Sequence, residues 1–358
     1  MKLKLLLLWA AVVIAASSPV CADKAGTEVM EFDLRPPDKM LQLITGANEW
    51  EIYASGIIDD DAPARLLALI KKNNIPPNSS ISLNSPGGSL MAGMKLGKLI
   101  RSRGFTTEIE RYNAASDPHF VPGKCFSACT LAFLGGTWRY MRPGSLYGVH
   151  RFYFTKPTGA DSDVAQMLSA VVIQYIRDMG VDPELFSEMS TAGKDDITLI
   201  PERELERLDV VNNGQTPTVW SVVSAQGAVY LKGQRNTAFG VNKFILVCVS
   251  NGVDLTVVMD PLAQGDPLPP SNAVSLVADD KGFPIETYMA EGPVLNNGSV
   301  FASFVLPPNI VRVIESAHEV GITFQVSRDS PTFVGFRGMR FEDGAKKMSG
   351  VLRDCLPN

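Results

Sequence analysis

Histidine is scarce in this 358-residue chain: it occurs only at His119, His150 and His318, far apart in the sequence. No two cysteines are separated by two residues, so the closely spaced cysteine and histidine pairs of structural zinc sites are missing. We therefore expect no metal ion and no cofactor.

Clusters of basic residues are also missing. The chain has 33 Lys and Arg residues against 38 Asp and Glu residues, a formal net charge of −5. Beyond the N-terminal Lys2 and Lys4, the chain has no run of more than two adjacent basic residues. Domains that bind nucleic acid usually carry a basic patch or stripe, so we expect no nucleic-acid partner.

Long hydrophobic runs are absent too. The longest run, Leu5–Ala16, has about 12 residues, whereas a helix needs about 20 to span a bilayer. Lys2 and Lys4 precede this run and Val20-Cys21-Ala22 follows it, which is the pattern of a cleaved signal peptide. We expect residues 1–22 to be removed and the mature protein to be periplasmic or secreted, without a membrane span. A membrane anchor, or a lipoprotein modified at Cys21, is the alternative.

Four cysteines remain after such a cleavage, and an even number of cysteines in an exported protein favours disulfides. Cys125 and Cys129 are four residues apart, which on a helix places their Cα atoms about 6 Å apart, within the range of a disulfide. We expect the pairs Cys125–Cys129 and Cys248–Cys355. Four buried thiols, or pairs that cross between domains, are the alternatives.

About 335 residues remain. A single hydrophobic core rarely serves a chain of that length, so we expect two domains. Strand and helix patterns alternate from Trp50 to Leu208, which predicts an α/β domain with a parallel-type sheet over residues 23–214, after an irregular lead-in at 23–48. The turn-rich stretch Asn212–Pro217 marks the boundary.

The second predicted domain, residues 215–358, has a different pattern. Short β-type runs, such as Val222–Leu231, follow one another at close spacing and are separated by Gly, Pro, Asn and Asp. Only Ile310–Glu319 and Ala345–Cys355 show a helical pattern. This pattern predicts a smaller, mostly β accessory domain of the α+β class.

Two stretches of the first domain carry residues suited to catalysis. The turn Ser85-Pro86-Gly87-Gly88 lies between a strand and a helix, where glycines can present backbone N–H groups to a ligand. Ser127 lies at the start of a later helix, and His150 ends the next strand, so His150 can act as its base. The alternative base, His119, lies in a Pro-rich loop. Taken singly, the glycines fit a tight turn and the histidine a structural role.

These stretches resemble the Clp protease proteolytic subunit, which has the ClpP/crotonase-like fold, a superhelix of βα units. The resemblance covers about residues 48–212 and rests on three segments of this sequence: Asn84–Ser89 (NSPGGS), Gly123–Ala128 (GKCFSA) and Tyr147–His150 (YGVH). Cys125, Phe126 and Ala128 depart from the pattern of that family, which has small residues before the serine and methionine after it.

The resemblance implies a serine peptidase mechanism. Ser127 is then the nucleophile and His150 the general base, and the backbone N–H groups of Gly88 and Ala128, with Gly87 beside them, form the oxyanion hole. Asp196 aligns best with the acid that orients the histidine, and Asp195 is one residue away. A surface acidic turn is the alternative interpretation of these two residues.

The resemblance also implies a peptide or protein substrate and allows a homo-oligomer. An ATPase partner is not expected, because an exported chain has no supply of ATP. Two other functions stay open at this point: a catalytically inactive protein that binds a peptide or a cell-envelope component, and a crotonase-like enzyme acting on a thioester. The thioester enzyme is disfavoured because coenzyme A is cytosolic. A Ser–Lys pair using Lys95 or Lys98 is a further alternative to the histidine.

Overall fold

The computed structural model describes residues 28–37, 39, 48–113, 120–151, 161–191, 193, 196–225, 227–250, 252–259, 268–296, 298–341, 344–352 and 355. The predicted signal peptide, residues 1–22, lies outside this described part. Within it, the chain is a mixed α/β structure with four sheets.

The helices of the described part are α1 (Ala62–Asn73), α2 (Leu90–Ser102), α3 (Ala128–Phe133), α4 (Asp161–Asp178), α5 (Leu185–Thr191), α6 (Glu202–Arg207), α7 (Pro308–Ser316) and α8 (Gly344–Leu352), with a short 3₁₀ turn at Glu286–Tyr288. The strands are β1 (Glu31–Arg35), β2 (Glu51–Ser55), β3 (Ser80–Asn84), β4 (Thr106–Tyr112), β5 (Phe120–Pro122), β6 (Lys124–Phe126), β7 (Arg139–Met141), β8 (Leu146–Val149), β9 (Thr198–Leu199), β10 (Val219–Ala225), β11 (Ala228–Asn236), β12 (Val241–Val249), β13 (Gly252–Met259), β14 (Ala273–Ala278), β15 (Lys281–Pro284), β16 (Met289–Asn296), β17 (Ser299–Leu306), β18 (Glu319–Gln325) and β19 (Val334–Arg340).

The N-terminal sheet has the order β1-β2-β3-β4-β5, and β7 also pairs with β4. Strands β2, β3, β4 and β7 are parallel, whereas β1 and β5 pair antiparallel at the ends. The sheet is therefore mixed rather than parallel throughout. The expected irregular lead-in is wrong over β1, where Phe32 and Leu34 alternate with polar residues and pack on the core. This alternation covers only five residues and ends before two prolines, so the sequence pattern does not clearly indicate a strand.

Helix α2 leads directly from the glycine turn and packs close to α3. Ser89 caps its first turn, because its hydroxyl accepts a hydrogen bond of 3.4 Å from Ala92 N–H. Gly93 lies against the backbone of Ala128, and a methyl group at Gly93 would overlap the Ala128 carbonyl oxygen. The close approach of α2 therefore fixes the position of the first residue of α3.

A second, smaller sheet carries the candidate residues. Strand β6 pairs parallel with β8, and β8 pairs antiparallel with the two-residue strand β9. The sheet joins the larger one through a bridge between Ser85 and Cys125. Its position brings the end of β3, the end of β6 and the end of β8 to one side of the molecule.

The C-terminal part is almost entirely antiparallel. One sheet has the order β10-β11-β12-β13-β17-β16 and the other β15-β14-β18-β19. The predicted single strand Val222–Leu231 is wrong: the chain turns at Gly227, which has a φ of 78°, and Ala225 pairs with Ala228 in a hairpin. Glycine and proline interrupt the apolar pattern of strands β15 and β16, so the sequence alone does not indicate them.

Two hydrophobic clusters make up the core. The first extends from Met30 to Val211 and the second from Trp220 to Leu352, and they share no residue. The domain boundary after Gly214 stays a prediction. No helix in the described ranges is long and apolar enough to cross a membrane.

The Cys248–Cys355 disulfide lies beside the second cluster, with Cα atoms 5.3 Å apart. Cys248 lies near the end of β12, and Cys355 follows α8 and packs against the cluster. The disulfide therefore ties the last helix to the sheet, as the sequence predicts.

Candidate active site

Ser127 lies between β6 and α3, at a sharp turn from strand to helix. Its backbone has φ 54° and ψ −124°, a combination that residues with a side chain rarely adopt. Holding such a conformation costs about 1–3 kcal/mol and is found mainly at functional sites. A turn of this kind projects the serine side chain away from both flanking elements.

Short hydrogen bonds hold this turn. Ser127 N–H donates to the Gly148 carbonyl oxygen over 2.9 Å. The Ser127 carbonyl oxygen accepts from Thr130 N–H over 2.9 Å and from Thr130 Oγ1 over 2.5 Å. The backbone on both sides of the serine is therefore fixed to β8 and to the first turn of α3.

The Cys125–Cys129 disulfide spans the same turn, with Cα atoms 5.2 Å apart and both residues fully buried. The pairing agrees with the sequence prediction, but its geometry differs. Cys125 belongs to β6 and only Cys129 belongs to α3, so the disulfide joins a strand to a helix across Ser127 instead of linking two turns of one helix.

Gly87 and Gly88 pack against the serine turn from the other side. Their φ angles are 106° and 145°, and a Cβ on Gly87 would lie 2.7 Å from Ser127 Cβ and 3.2 Å from Ala128 N. No residue with a side chain could take the place of Gly87 without displacing the serine.

Two backbone N–H groups remain for a ligand at this turn. Ile58 bridges the glycines, because its N–H donates to Gly87 O over 2.8 Å and its carbonyl accepts from Ser89 N–H over 2.7 Å. This leaves the Gly88 N–H directed away from Ile58. Ala128 is the first residue of α3, so its N–H has no acceptor within the helix. Neither N–H has an acceptor among the described residues.

One pocket of about 440 Å³ brings these groups together. Gly88, Ser127, Ala128 and His150 all line it. The other lining residues are Pro86, Ser89, Leu90, Thr130, Val149 and Met189. The pocket therefore combines the Ser127 hydroxyl with one imidazole and two backbone N–H groups, and its wall consists of apolar side chains together with the hydroxyl residues Ser89 and Thr130.

His150 follows β8 and is partly buried. Its Nδ1 lies 2.9 Å from the Arg151 carbonyl oxygen. A carbonyl oxygen can only accept, so in the neutral ring this contact matches the tautomer with the proton on Nδ1, in which Nε2 is the basic nitrogen. Nε2 is thus the nitrogen able to take a proton from a hydroxyl group.

The predicted acid has a different setting. Asp196 is exposed and precedes β9, whose Thr198 pairs with Val149. No hydrogen bond or ion pair joins Asp196 to another described residue. Asp195 and His119 lie outside the described residues. The role of Asp196 or Asp195 as the acid therefore stays a prediction.

Other sequence candidates lie away from the pocket. Lys95 and Lys98 are exposed on α2 and do not line it. Phe126 packs on Gly148, where an added Cβ would lie 2.8 Å from the phenyl Cδ1 atom, so its ring fills space between β6 and β8 and not in the pocket.

Sequence reasoning missed three pocket residues, Leu90, Thr130 and Met189. Thr130 could have been found, because a residue three positions after the serine lies on the same face of a helix. Met189 is contributed by α5, and no local pattern indicates that this helix packs near the serine. In the described part of the chain, no three His, Cys, Asp or Glu side chains gather in a way that could hold a metal ion.

No known family model matches the sequence. No curated protein sequence matches it either. Among solved structures, the chain is similar to a serine-to-alanine mutant of the 1510-N membrane-bound stomatin-specific protease, with a TM-score of 0.33 and 20% sequence identity over 45% of this chain and 75% of that chain. A similarity at this level carries no functional argument, so the assignment rests on the site itself.

Proposed function

We propose that this protein is an exported serine peptidase of the Clp-protease-like kind, with Ser127 as nucleophile and His150 as general base. The observation that carries the proposal is the strained backbone of Ser127 in a pocket that also holds His150 and two backbone N–H groups without acceptors. Strain of this kind costs stability, and catalysis is the usual reason for retaining it.

In the proposed reaction, Ser127 Oγ attacks the carbonyl carbon of a peptide bond while His150 Nε2 takes the hydroxyl proton. The carbon–nitrogen bond then breaks, and His150 gives the proton to the leaving amine. The acyl group remains on Ser127 as an ester. Water, deprotonated by His150, attacks this ester and releases the acid and the free serine.

The backbone N–H groups of Gly88 and Ala128, with Gly87 beside them, are the proposed oxyanion hole. They belong to two different segments that meet at Ser127, so both can point at one oxygen atom of the substrate. Each such donor typically contributes a factor of about 10²–10³ to the rate. The geometry is set before the substrate binds, because Gly87 and Ser127 are in contact.

The compartment is part of the proposal. Two disulfides in one chain fit an oxidising environment such as the periplasm or the cell exterior. The substrate is then a peptide or protein of that compartment, reached without an ATPase. A homo-oligomer stays a prediction.

A second candidate function is peptide binding without catalysis. It is favoured by the setting of Asp196, which is exposed and makes no contact with His150. In this alternative, the pocket still receives a peptide carbonyl, but Ser127 does not react.

A fluorophosphonate probe separates the two functions. Ser127 Oγ would form a bond to phosphorus, fluoride would leave, and His150 would take the serine proton. We expect the wild type to be labelled, Ser127→Ala to stay unlabelled, and His150→Ala to react at least about 100-fold more slowly, the low end for removal of a general base.

Ser102→Ala is the matched control, because Ser102 is an exposed serine at the end of α2; it should be labelled like the wild type. Circular dichroism checks that each variant folds. A wild type that resists the probe, or a Ser127→Ala variant that is still labelled, would contradict the peptidase.

A further inference from the structure

The conformation of Ser127 needs a restraint. A serine with φ 54° and ψ −124° relaxes toward ordinary backbone angles unless its surroundings prevent this. The flanking hydrogen bonds to Gly148 and Thr130 contribute, but such bonds can re-form after a small rotation of the peptide units. A covalent link across the turn does not break and re-form in this way, so it keeps the turn from relaxing.

The Cys125–Cys129 disulfide is such a link. It joins the residues two before and two after Ser127, with Cα atoms 5.2 Å apart. Both cysteines are fully buried, Cys125 in the bridge with Ser85 and Cys129 in the core beside α2. The two ends of the turn are therefore fixed to each other and to the rest of the fold.

We propose that the Cys125–Cys129 disulfide is a positioning element that holds Ser127 in its strained conformation. Its consequence for activity rests on the proposed function, because Ser127 and His150 line the same pocket. Without the disulfide, the turn relaxes and Oγ leaves the position from which it can attack, while the fold around it remains.

The chain supplies its own control. Cys248–Cys355 is a second disulfide beside the other hydrophobic cluster: Cys355 packs against that cluster, Cys248 is exposed, and neither cysteine lines the pocket. It closes a sequence separation of 107 residues against 4 for Cys125–Cys129. A longer loop gives a larger effect on the unfolded chain, so this control disulfide should matter more for stability and less for the site.

The first test compares probe labelling in Cys125→Ala/Cys129→Ala with Cys248→Ala/Cys355→Ala. We expect labelling of the first variant to be at least about tenfold slower than in the wild type, a loss equal to about 1.4 kcal/mol, with a small drop in melting temperature. The second variant should be labelled at a rate within twofold of the wild-type rate, although its melting temperature should drop further. Equal labelling of the wild type and the first variant would overturn the inference and leave the peptidase proposal standing.

The second test does not depend on activity. Ser127→Gly removes the strain, because glycine adopts positive φ without penalty, and should raise the melting temperature of the wild type by a few degrees. In the Cys125→Ala/Cys129→Ala background, the turn is already relaxed and the gain should be less than half as large. An equal gain in both backgrounds would overturn the inference, even if the wild type proves unreactive. If the alanine pair does not fold, Cys125→Val/Cys129→Ala restores part of the lost core volume and serves in both tests.

Discussion

Ser127 differs from every other residue of the described chain that has a side chain and a positive φ. The others are all Asn or Asp: Asn74, Asn78, Asp209, Asn213, Asp279 and Asp280. Asn and Asp tolerate the left-handed region because their short side chains can bond to the backbone locally. Serine has less of this tolerance, and the ψ of −124° lies outside the left-handed helical region altogether. The packing of the site, and not the turn propensity of serine, therefore accounts for the backbone conformation of Ser127.

At the scale of single residues, the acid behind His150 is the open part of the mechanism. We expect Asp196→Asn to slow probe labelling by less than about tenfold, because Asp196 is exposed and makes no hydrogen bond to His150. The imidazole is already oriented by the Arg151 carbonyl oxygen. Second-order rate constants for labelling measure the effect.

Asp195→Asn is the companion variant, since the two carboxylates are adjacent in the sequence. A loss of about 10⁴-fold in Asp196→Asn, as expected for a true triad acid, would show that Asp196 moves onto the imidazole during the reaction. The same loss in Asp195→Asn alone would assign the acid to that residue.

The residue pattern predicts the candidates but not their conformation. The NSPGGS, GKCFSA and YGVH segments point to Gly88, Ser127 and His150 before any coordinates are known, and the structure brings all three to one pocket. Their catalytic roles stay predictions. The positive φ of Ser127 could not be predicted, because it results from the packing of β6, α3 and the glycine turn, and not from the identity of the residue.

At the scale of secondary structure elements, the contact between α2 and α3 sets the site. Gly93 lies against the Ala128 backbone, whose N–H is a proposed oxyanion donor. Helix α2, Leu90–Ser102, carries Gly93 and Gly97 one turn apart. The two glycines, one turn apart, indicate a close contact, but only the fold shows that α3 is the partner.

We therefore expect Gly93→Ala to damage the site. The added methyl group overlaps the Ala128 carbonyl oxygen, which belongs to the backbone and cannot rotate away as a side chain can. Overpacking of this kind costs about 1–3 kcal/mol of unfolding free energy, and a shift of Ala128 should slow labelling by about tenfold or more. Urea unfolding and probe kinetics measure the two effects.

Gly350→Ala is the matched control for this substitution. Gly350 lies in α8, and nothing lies within 4 Å of a Cβ placed there. The same substitution should raise stability by about 0.5–1 kcal/mol through helix propensity and leave labelling unchanged. If Gly93→Ala and Gly350→Ala behaved alike, the close approach of α2 would not control Ala128.

At the scale of the whole molecule, strand β4 carries a partly buried acidic residue beside other acidic residues. Glu108 of β4 faces Glu110 and Glu51, and Arg142 lies nearby. Burial first, and then the charges of these two glutamates, raise the pKa of Glu108 from 4.5 to about 7, while Arg142 lowers it. The charged form of Glu108 is therefore disfavoured in the folded protein.

This shift predicts that stability decreases as the pH rises. The pKa of Glu108 is higher in the folded than in the unfolded chain, so its contribution is fully present below about pH 4.5 and is lost as the pH rises through about 7. Between pH 5 and pH 8, we expect the wild type to lose about 1–3 kcal/mol of unfolding free energy relative to Glu108→Gln, since each pKa unit is worth about 1.4 kcal/mol.

Urea unfolding at several pH values measures this difference. Glu49→Gln, which removes an exposed glutamate just before β2, is the control and should leave the pH dependence of the wild type unchanged. If Glu108→Gln and the wild type show parallel pH profiles, Glu108 ionises in the folded state at an ordinary pH.

The organisation of the whole chain could be predicted only in part. The change from alternating strands and helices to short strands near residue 214 falls between the first cluster, which ends at Val211, and the second, which begins at Trp220; the domain boundary itself stays a prediction. The order of the strands could not be predicted. Strand β13 pairs with β17, although β14 and β15, which lie between them in the sequence, belong to the other sheet. Strand β14 likewise pairs with the distant strand β18. Such pairings depend on how complete sheets pack, and no local pattern records them.

The central claim is that Ser127 is a nucleophile, and its most direct test is to locate the bond that a fluorophosphonate forms. The wild type is treated with the probe, digested, and sequenced by tandem mass spectrometry. The account predicts one phosphonyl group, on Ser127, in the peptide that retains the Cys125–Cys129 disulfide. An adduct on any other residue, or no adduct in a protein shown to be folded and oxidised, would contradict it.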